Sequence, residues 1–510
     1  MRRLLVAGVS LQALLNIAKP PKLGLMSANN NENADVAEKA KRVHDQAPSD
    51  QFAAFMASGW APSDYDDLEP LEVVTYAFAR RQVLSAAYPG VRLVLPAGGY
   101  KVRSNDTDYQ YRPHSAFAYY SGVQGADATA DAVLVMEPTE GGHLTYLYIH
   151  PRSTRDTDSF YRDTKYGELW VGRRFTLAEA KARYQIDTRL VDDLEAFLKD
   201  GKETLIIRGE DPMVDGAVKK HKGEEDFLIF TSEQRLVKDE YELLEMQKAV
   251  DATALGFNDV ISVIPAAVST PRGERVLESA FYGRARVLGN DLGYSTIVGS
   301  GAHACVLHWI RNDGDVRPGE LVLVDAGVEV DSFYTADITR TLPVSGKFTP
   351  AQRSLYMLVY EAQLAGFAAI KPGVKFSEIN AACQAVLAQG LADMGVLTVS
   401  AEESLKPEVG LHRRWTLHGV SHHLGIDVHD CAHARKENYL DKELEVGMVL
   451  TVEPGLYIQP DDELFAPEYR GIGIRIEDDI VVTEDGCRNL SDDIPRHPDA
   501  IEKWMKSILR

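Results

Sequence analysis

The alternation of apolar and polar positions divides the chain into a polar head, an α/β stretch, and a longer stretch in which apolar, strand-like runs end on carboxylates. From residue 68 to 88 the apolar positions recur at helical spacing, and Pro89-Gly90 then opens the run VRLVLPAG, as a turn before a strand would. Further strands are expected at 116–120, 132–136, 144–149 and 204–207, between helices at 177–184 and 190–199. The character changes near residue 231. KDEYELLEMQKAVDATALGFNDVI reads as a long helix with Leu243, Met246, Val250 and Phe257 on one face and acids at its start, where the helix dipole favours them. Helical patterns follow at 274–287 and 351–369, the latter halted by Lys371-Pro372-Gly373.

This pattern implies a leader and polar arm over 1–50, an N-terminal mixed α/β domain over 51–231 and a second domain over 232–510. A length of 510 residues exceeds what one core holds, which agrees with two domains. Met1-Arg2-Arg3 before LLVAGVSLQALLNIA resembles the start of a signal peptide, but no A-x-A-like site follows and the run is short for a membrane span. A cytoplasmic location is therefore expected, with export or organelle import as the alternative that the leader leaves open. The net charge of −21 argues against nucleic acid or an anionic membrane as partner. Four scattered cysteines without a CxxC pair indicate neither a zinc ribbon nor a disulfide framework.

Candidate chemistry starts at LVLVDAGVEVDSFYTADITRTLP, residues 321–343, where a buried strand would end on Asp325 and a returning strand would carry Asp337. A two-residue turn at Asp331-Ser332 would put the two acids on opposite faces. If they act together, a bulge or a three-residue loop must correct the register so that they face each other. Glu453, closing the run MVLTVEP, and Glu477, in GIGIRIEDD, sit in similar apolar settings. An ion pair with Arg475 would account for Glu477 alone. Eight of the fourteen histidines lie between 303 and 433, densest in LHGVSHHLGIDVHDC, where glycines favour an irregular strand or turn over a helix. Four acids and His422 make an oxygen-rich set suited to a pair of divalent ions such as Mn²⁺, Co²⁺ or Zn²⁺.

Through VLHW, LVLVDAG, ADITRT, HGVSHHLGIDVHD, LTVEPGLY and GIRIEDD, residues 236–490 resemble the catalytic domain of the pita-bread metallopeptidases, the group of methionine aminopeptidase, prolidase and aminopeptidase P. The N-terminal YRPHSAFAYYSG followed by DAVLVMEP is similar to aminopeptidase P in particular. The resemblance implies an α/β (α+β) protein, with an N-terminal α/β domain of aminopeptidase P type before a pita-bread domain. It implies a metalloaminopeptidase that hydrolyses the N-terminal Xaa-Pro bond of peptides with a hydroxide held between two divalent metal ions, manganese first, cobalt or zinc as alternatives. The ligands it implies are Asp325, Asp337, His422, Glu453 and Glu477. Glu453 would also carry the proton, His308, His418, Tyr457 and Arg475 would surround the prolyl residue, and His429 would steady the tetrahedral intermediate. A prolidase confined to dipeptides, with or without organophosphate hydrolysis, is the enzymatic alternative, and a non-enzymatic metal-binding module the remote one. Family likeness implies a homo-oligomer, a dimer or tetramer. The segment 103–122, dense in Tyr, Arg and Asp, reads either as a solvated loop or as a substrate or subunit contact.

Overall fold

The computed structural model describes residues 49–65 and 67–509, so the leader and polar arm lie outside the described residues apart from their last two positions. Residues 49–61 with 154–158 form a small unit of their own. In it the helix Asp50–Met56 is capped by Ser49, whose hydroxyl accepts from Phe52 N at 3.2 Å, and the Trp60 indole donates to Met56 O at 2.6 Å.

The larger unit begins with the helix Val74–Ala87 and a mixed five-stranded sheet in the order Asp187–Leu190, Gly142–Ile149, Val133–Thr139, Arg92–Pro96, Thr204–Ile206. Both faces are covered. Leu93, Leu95, Leu134 and Met136 pack with Phe117 and Tyr120, while Val94, Val133, Val135 and Ile206 pack with Leu194 and Leu198. Burial on both sides explains why these strands read as apolar runs rather than alternations.

Two expectations fail here. Residues 116–120 are not a strand but lie in the helix Ser115–Ser121, which starts where the His114 ring accepts from Ala116 N and ends at Gly122 in the left-handed region. All seven residues are buried, and a short run buried on every side carries no period by which strand and helix differ. The helix expected over 190–199 is only Leu194–Leu198, preceded by the edge strand Asp187–Leu190 and a 3-10 turn.

Beyond it, the long helix Glu240–Ser262 opens with a capping box between Asp239 and Glu242. Its Met246, Val250 and Phe257 share a core with Val322, Val324, Ala326, Ile338 and Leu342 of the hairpin strands Leu321–Ala326 and Ile338–Pro343. At roughly 1.5–3 kcal/mol for each large aliphatic side chain fully buried, this contact fixes which face of the hairpin turns inward. The opposite face bears the odd-numbered residues, Asp325 and Asp337 among them.

Register decides how those two acids meet. Val330 N donates to Tyr334 O at 3.0 Å and Phe333 N to Val330 O at 2.8 Å, so the loop holds three residues, with Phe333 at φ 70°. The expected three-residue correction is present, but the acids are diagonal neighbours rather than a facing pair: Asp325 pairs with Thr339. Along the same register the position across from Asp337 is Gly327, where a Cβ would stand 1.7 Å from the Ala336 carbonyl oxygen. Only glycine fits that approach.

The remaining site elements are the strands Val449–Val452 and Asp478–Thr483, which pair antiparallel, and the ribbon Gly455–Ile458 with Ile472–Arg475.

Candidate active site

Two of the site acids sit where a strand ends. Glu453 follows Val449–Val452, at the end of its apolar run as the sequence implied, and Glu477 stands between the strands Ile472–Arg475 and Asp478–Thr483 rather than inside one. The histidine-rich loop lies along Val449–Val452 as an irregular strand: Leu424 N donates to Val449 O at 3.1 Å, Thr451 N to His422 O at 2.9 Å and Glu453 N to Val420 O at 2.9 Å. These bonds set His422 beside Glu453. Glu477 is tied to the hairpin, its N–H donating to Thr339 O at 3.1 Å and its Oε2 accepting from Thr339 Oγ1 at 2.6 Å.

The result is a cavity of about 520 Å³ lined by Asp325, Asp337, His308, His418, His422, His429, Glu453, Arg475 and Glu477. Asp337, His422 and Glu477 each offer a ligand atom within 4.8 Å of the others. His422 Nε2 stands 3.3 Å from Asp337 Oδ2 and 3.4 Å from Glu453 Oε1, which brings Glu453 to the same centre. Asp325 lines the same cavity, with its Oδ2 accepting from Arg475 Nη2 at 2.5 Å. The Arg475–Glu477 ion pair that the sequence offered as an alternative is not formed; Arg475 serves Asp325 and, through Nη1 at 2.9 Å, the Tyr457 hydroxyl.

Electrostatics mark this as a site for cations. Burial pushes the Glu477 carboxyl well above its usual range, and Asp337, Glu453 and Asp325 push it further. Burial also raises Glu453, to about 7, with Asp337 and Asp325 adding to the rise against His422 and Arg475. Asp325 is raised by burial despite Arg475. Burial works against charge on His422, yet its bond to Asp337 and the nearby Glu453 carry its pKa up to about 9. Crowded buried carboxylates need positive charge, and this oxygen-rich set with one imidazole suits hard to borderline divalent ions.

The other histidines divide by setting. His418 Nδ1 donates to Gly419 O at 2.8 Å, leaving Nε2 to accept from Tyr457 OH at 2.8 Å, while that hydroxyl accepts from Arg475. Burial and the Arg475 charge lower His418 to about 4, so it is a neutral ring held in one tautomer. His429 lies edge-on to His422 with ring centres 4.6 Å apart, and burial beside His422 lowers its pKa. His308 is exposed at the cavity wall.

Sequence reasoning missed Tyr294 and Asp479. The Tyr294 hydroxyl reaches both hairpin acids, Asp325 Oδ1 at 2.7 Å and Asp337 Oδ1 at 2.5 Å. Asp479 accepts from Asp337 N at 3.1 Å and is raised well above the usual range, chiefly by burial. Nothing in the surroundings of Tyr294 marks it in the sequence. Asp479 stood two residues past Glu477 in the same apolar run, which was a usable signal.

Comparison with known proteins agrees with this geometry. Residues 245–484 match the metallopeptidase family M24, and residues 76–206 match the aminopeptidase P N-terminal domain. The chain is 51% identical to Xaa-Pro aminopeptidase 1 of Streptomyces coelicolor over 464 residues, 90% of this chain and 93% of that one. It is 33% identical to the Xaa-Pro aminopeptidase of Escherichia coli over 456 residues, 85% of this chain and 98% of that one. The chain belongs to the aminopeptidase P family. The solved zinc-substituted E. coli aminopeptidase P in complex with product superposes with a TM-score of 0.75 at 32% identity, covering 87% of this chain and all of that one. As an aminopeptidase P, the chain is a metallopeptidase with an N-terminal domain before a pita-bread catalytic domain, and its family implies divalent metal ions.

Proposed function

We propose that this aminopeptidase removes the N-terminal residue from peptides whose second residue is proline, using Asp325, Asp337, His422, Glu453 and Glu477 to hold two divalent ions, manganese with cobalt or zinc as alternatives. The observation that carries the reading is the cluster of Asp337, His422 and Glu477 with ligand atoms within 4.8 Å, joined by Glu453 and Asp325 in one cavity. When bound, the ions supply a water that ionises near neutral pH and polarise the scissile carbonyl.

The protein supplies position and proton transfer. Glu453, a buried carboxyl beside both His422 and His418, takes the proton of the attacking water and returns it to the leaving nitrogen. That nitrogen belongs to proline, which has no N–H and a fixed φ, so a rigid wall can select it. His308, His418 and Arg475 line that wall, and Tyr457 behind it, bonded to both His418 and Arg475, keeps it rigid. His429 hydrogen-bonds the oxygen that gains charge.

Assembly into a dimer or tetramer rests on the family likeness and is checked by sedimentation. Among the described residues no helix is long and apolar enough to cross a membrane. A cytoplasmic setting agrees with four free cysteines, three of them buried. The deciding test is hydrolysis of Xaa-Pro peptides of graded length with Mn²⁺, Co²⁺ and Zn²⁺ in parallel. Release of the first residue from tripeptides and longer chains is expected; activity confined to dipeptides would make the chain a prolidase.

A further inference from the structure

The segment around Arg112, dense in Tyr, Arg and Asp, has no part in the chemistry above, yet its guanidinium touches both halves of the site. Arg112 Nε donates to Glu329 Oε2 at 2.6 Å, and Glu329 lies four residues past Asp325 on the acid-bearing hairpin. The same guanidinium stands 5.6 Å from the ring centre of Phe333, at the hairpin tip. On its other side Nη2 donates to Ile426 O at 2.5 Å and lies 3.3 Å from Asp427 Oδ1, two residues before His429. Ser115 completes the grip: its hydroxyl accepts from Arg112 Nη1 at 3.0 Å and donates to Asp427 Oδ1 at 2.5 Å. Arg235 Nη1 holds the other oxygen of Asp427 at 3.1 Å. Glu329 is nearly fully buried and shared with Asn290 Nδ2 at 2.8 Å, so the hairpin end of the link is fixed.

We propose that Arg112 is a positioning residue for the reaction: one guanidinium from the N-terminal part of the chain locks the acid-bearing hairpin to the histidine-rich loop and thereby sets where His429 meets the substrate. The inference rests on the role given to His429 above. It also assigns the N-terminal part a task at the active site without direct contact with the peptide. A planar fork is required, because bonds leave Arg112 in three directions at once to a carboxylate, a hydroxyl and a carbonyl oxygen; lysine keeps the charge but not those directions.

The test is kinetic and uses the full metal-loaded enzyme. Arg112→Lys is expected to lower kcat about tenfold or more with KM within about twofold, since a displaced group of order 1 Å costs rate rather than ground-state binding. Bound metal and the thermal midpoint should stay close to wild type. Introduced into His429→Ala, the same substitution should change kcat less than about twofold, because two residues acting as one unit do not add. Ser115→Ala, which leaves the guanidinium in place, should lower kcat severalfold under the same dependence on His429, and it decides the matter if Arg112→Lys does not fold. Wild-type turnover in Arg112→Lys or Ser115→Ala, an equal loss with and without His429, or a loss that follows bound metal overturns the proposal. A fully active His429→Ala enzyme would instead sink the reading of His429, a result visible before the double variant is made.

Discussion

Arg475 donates to Asp325 at 2.5 Å and leaves Glu477, two residues further along its own chain, to Thr339. The guanidinium thus fixes a hairpin acid that stands outside the Asp337–His422–Glu477 cluster. It also holds the Tyr457 hydroxyl that orients His418. Arg475→Lys keeps the charge but cannot serve both partners. It is expected to lower kcat/KM by about 100-fold or more on a proline-second peptide. Near-wild-type kcat/KM from initial-rate kinetics would show the arrangement to be incidental.

Glu453→Gln replaces a buried carboxyl with an amide of nearly the same shape that cannot carry a proton. At saturating metal, kcat should fall by about 10²–10⁴, with metal content by elemental analysis still above that of an Asp337→Ala control. Undiminished turnover in a metal-replete variant would remove Glu453 from the proton path.

Behind the site, Arg340 and Asp478 form a fully buried ion pair at 2.7 Å, and Arg340 also donates to the carbonyl oxygens of Glu477, Ile494 and Pro495. Arg340→Met removes the guanidinium hydrogen-bonded to buried Asp478 and leaves only Arg496 at 3.7 Å as a cationic neighbour, and about 3–5 kcal/mol of stability should be lost. Arg340→Met with Asp478→Leu should recover part of it. Urea unfolding of the three proteins checks both expectations.

The N-terminal sheet domain has its own acid-sensitive point. Burial disfavours charge on Glu179, but the Arg173 guanidinium and the N–H groups of Tyr65 and Thr176 hold its pKa down from 4.5 to about 2. A carboxylate with a depressed folded pKa contributes stability that is complete above the unfolded value and is lost as pH falls through the folded one. The gap in thermal midpoint between wild type and Glu179→Gln should therefore be widest above pH 5 and close between about pH 4.5 and 2. A gap of constant size would show that the charge contributes nothing.

Most of the candidate site was legible in the chain because it is written in local signals. A carboxylate that closes an apolar run, as at Asp325 or Glu453, costs too much to bury without a partner, and four such acids with a histidine-rich loop call for cations. The long helices were legible for a similar reason, since Met246, Val250 and Phe257 repeat at a period only a helix uses. Residues 116–120 were not, because an element buried on every side carries no alternation to read.

What the sequence determined by itself was the set of residue types, the apolar runs on which they sit, and the need for a bulge or a three-residue loop in the hairpin. Tertiary structure alone decided who meets whom: Asp325 diagonal to Asp337 and bound to Arg475, Tyr294 spanning both acids, and Arg112 reaching across to Glu329 and Ile426. Apart from the two hairpin acids themselves, these contacts join residues from 31 to 314 positions apart. Their partners are chosen by which faces the core turns together, and no local spacing along the chain encodes that choice.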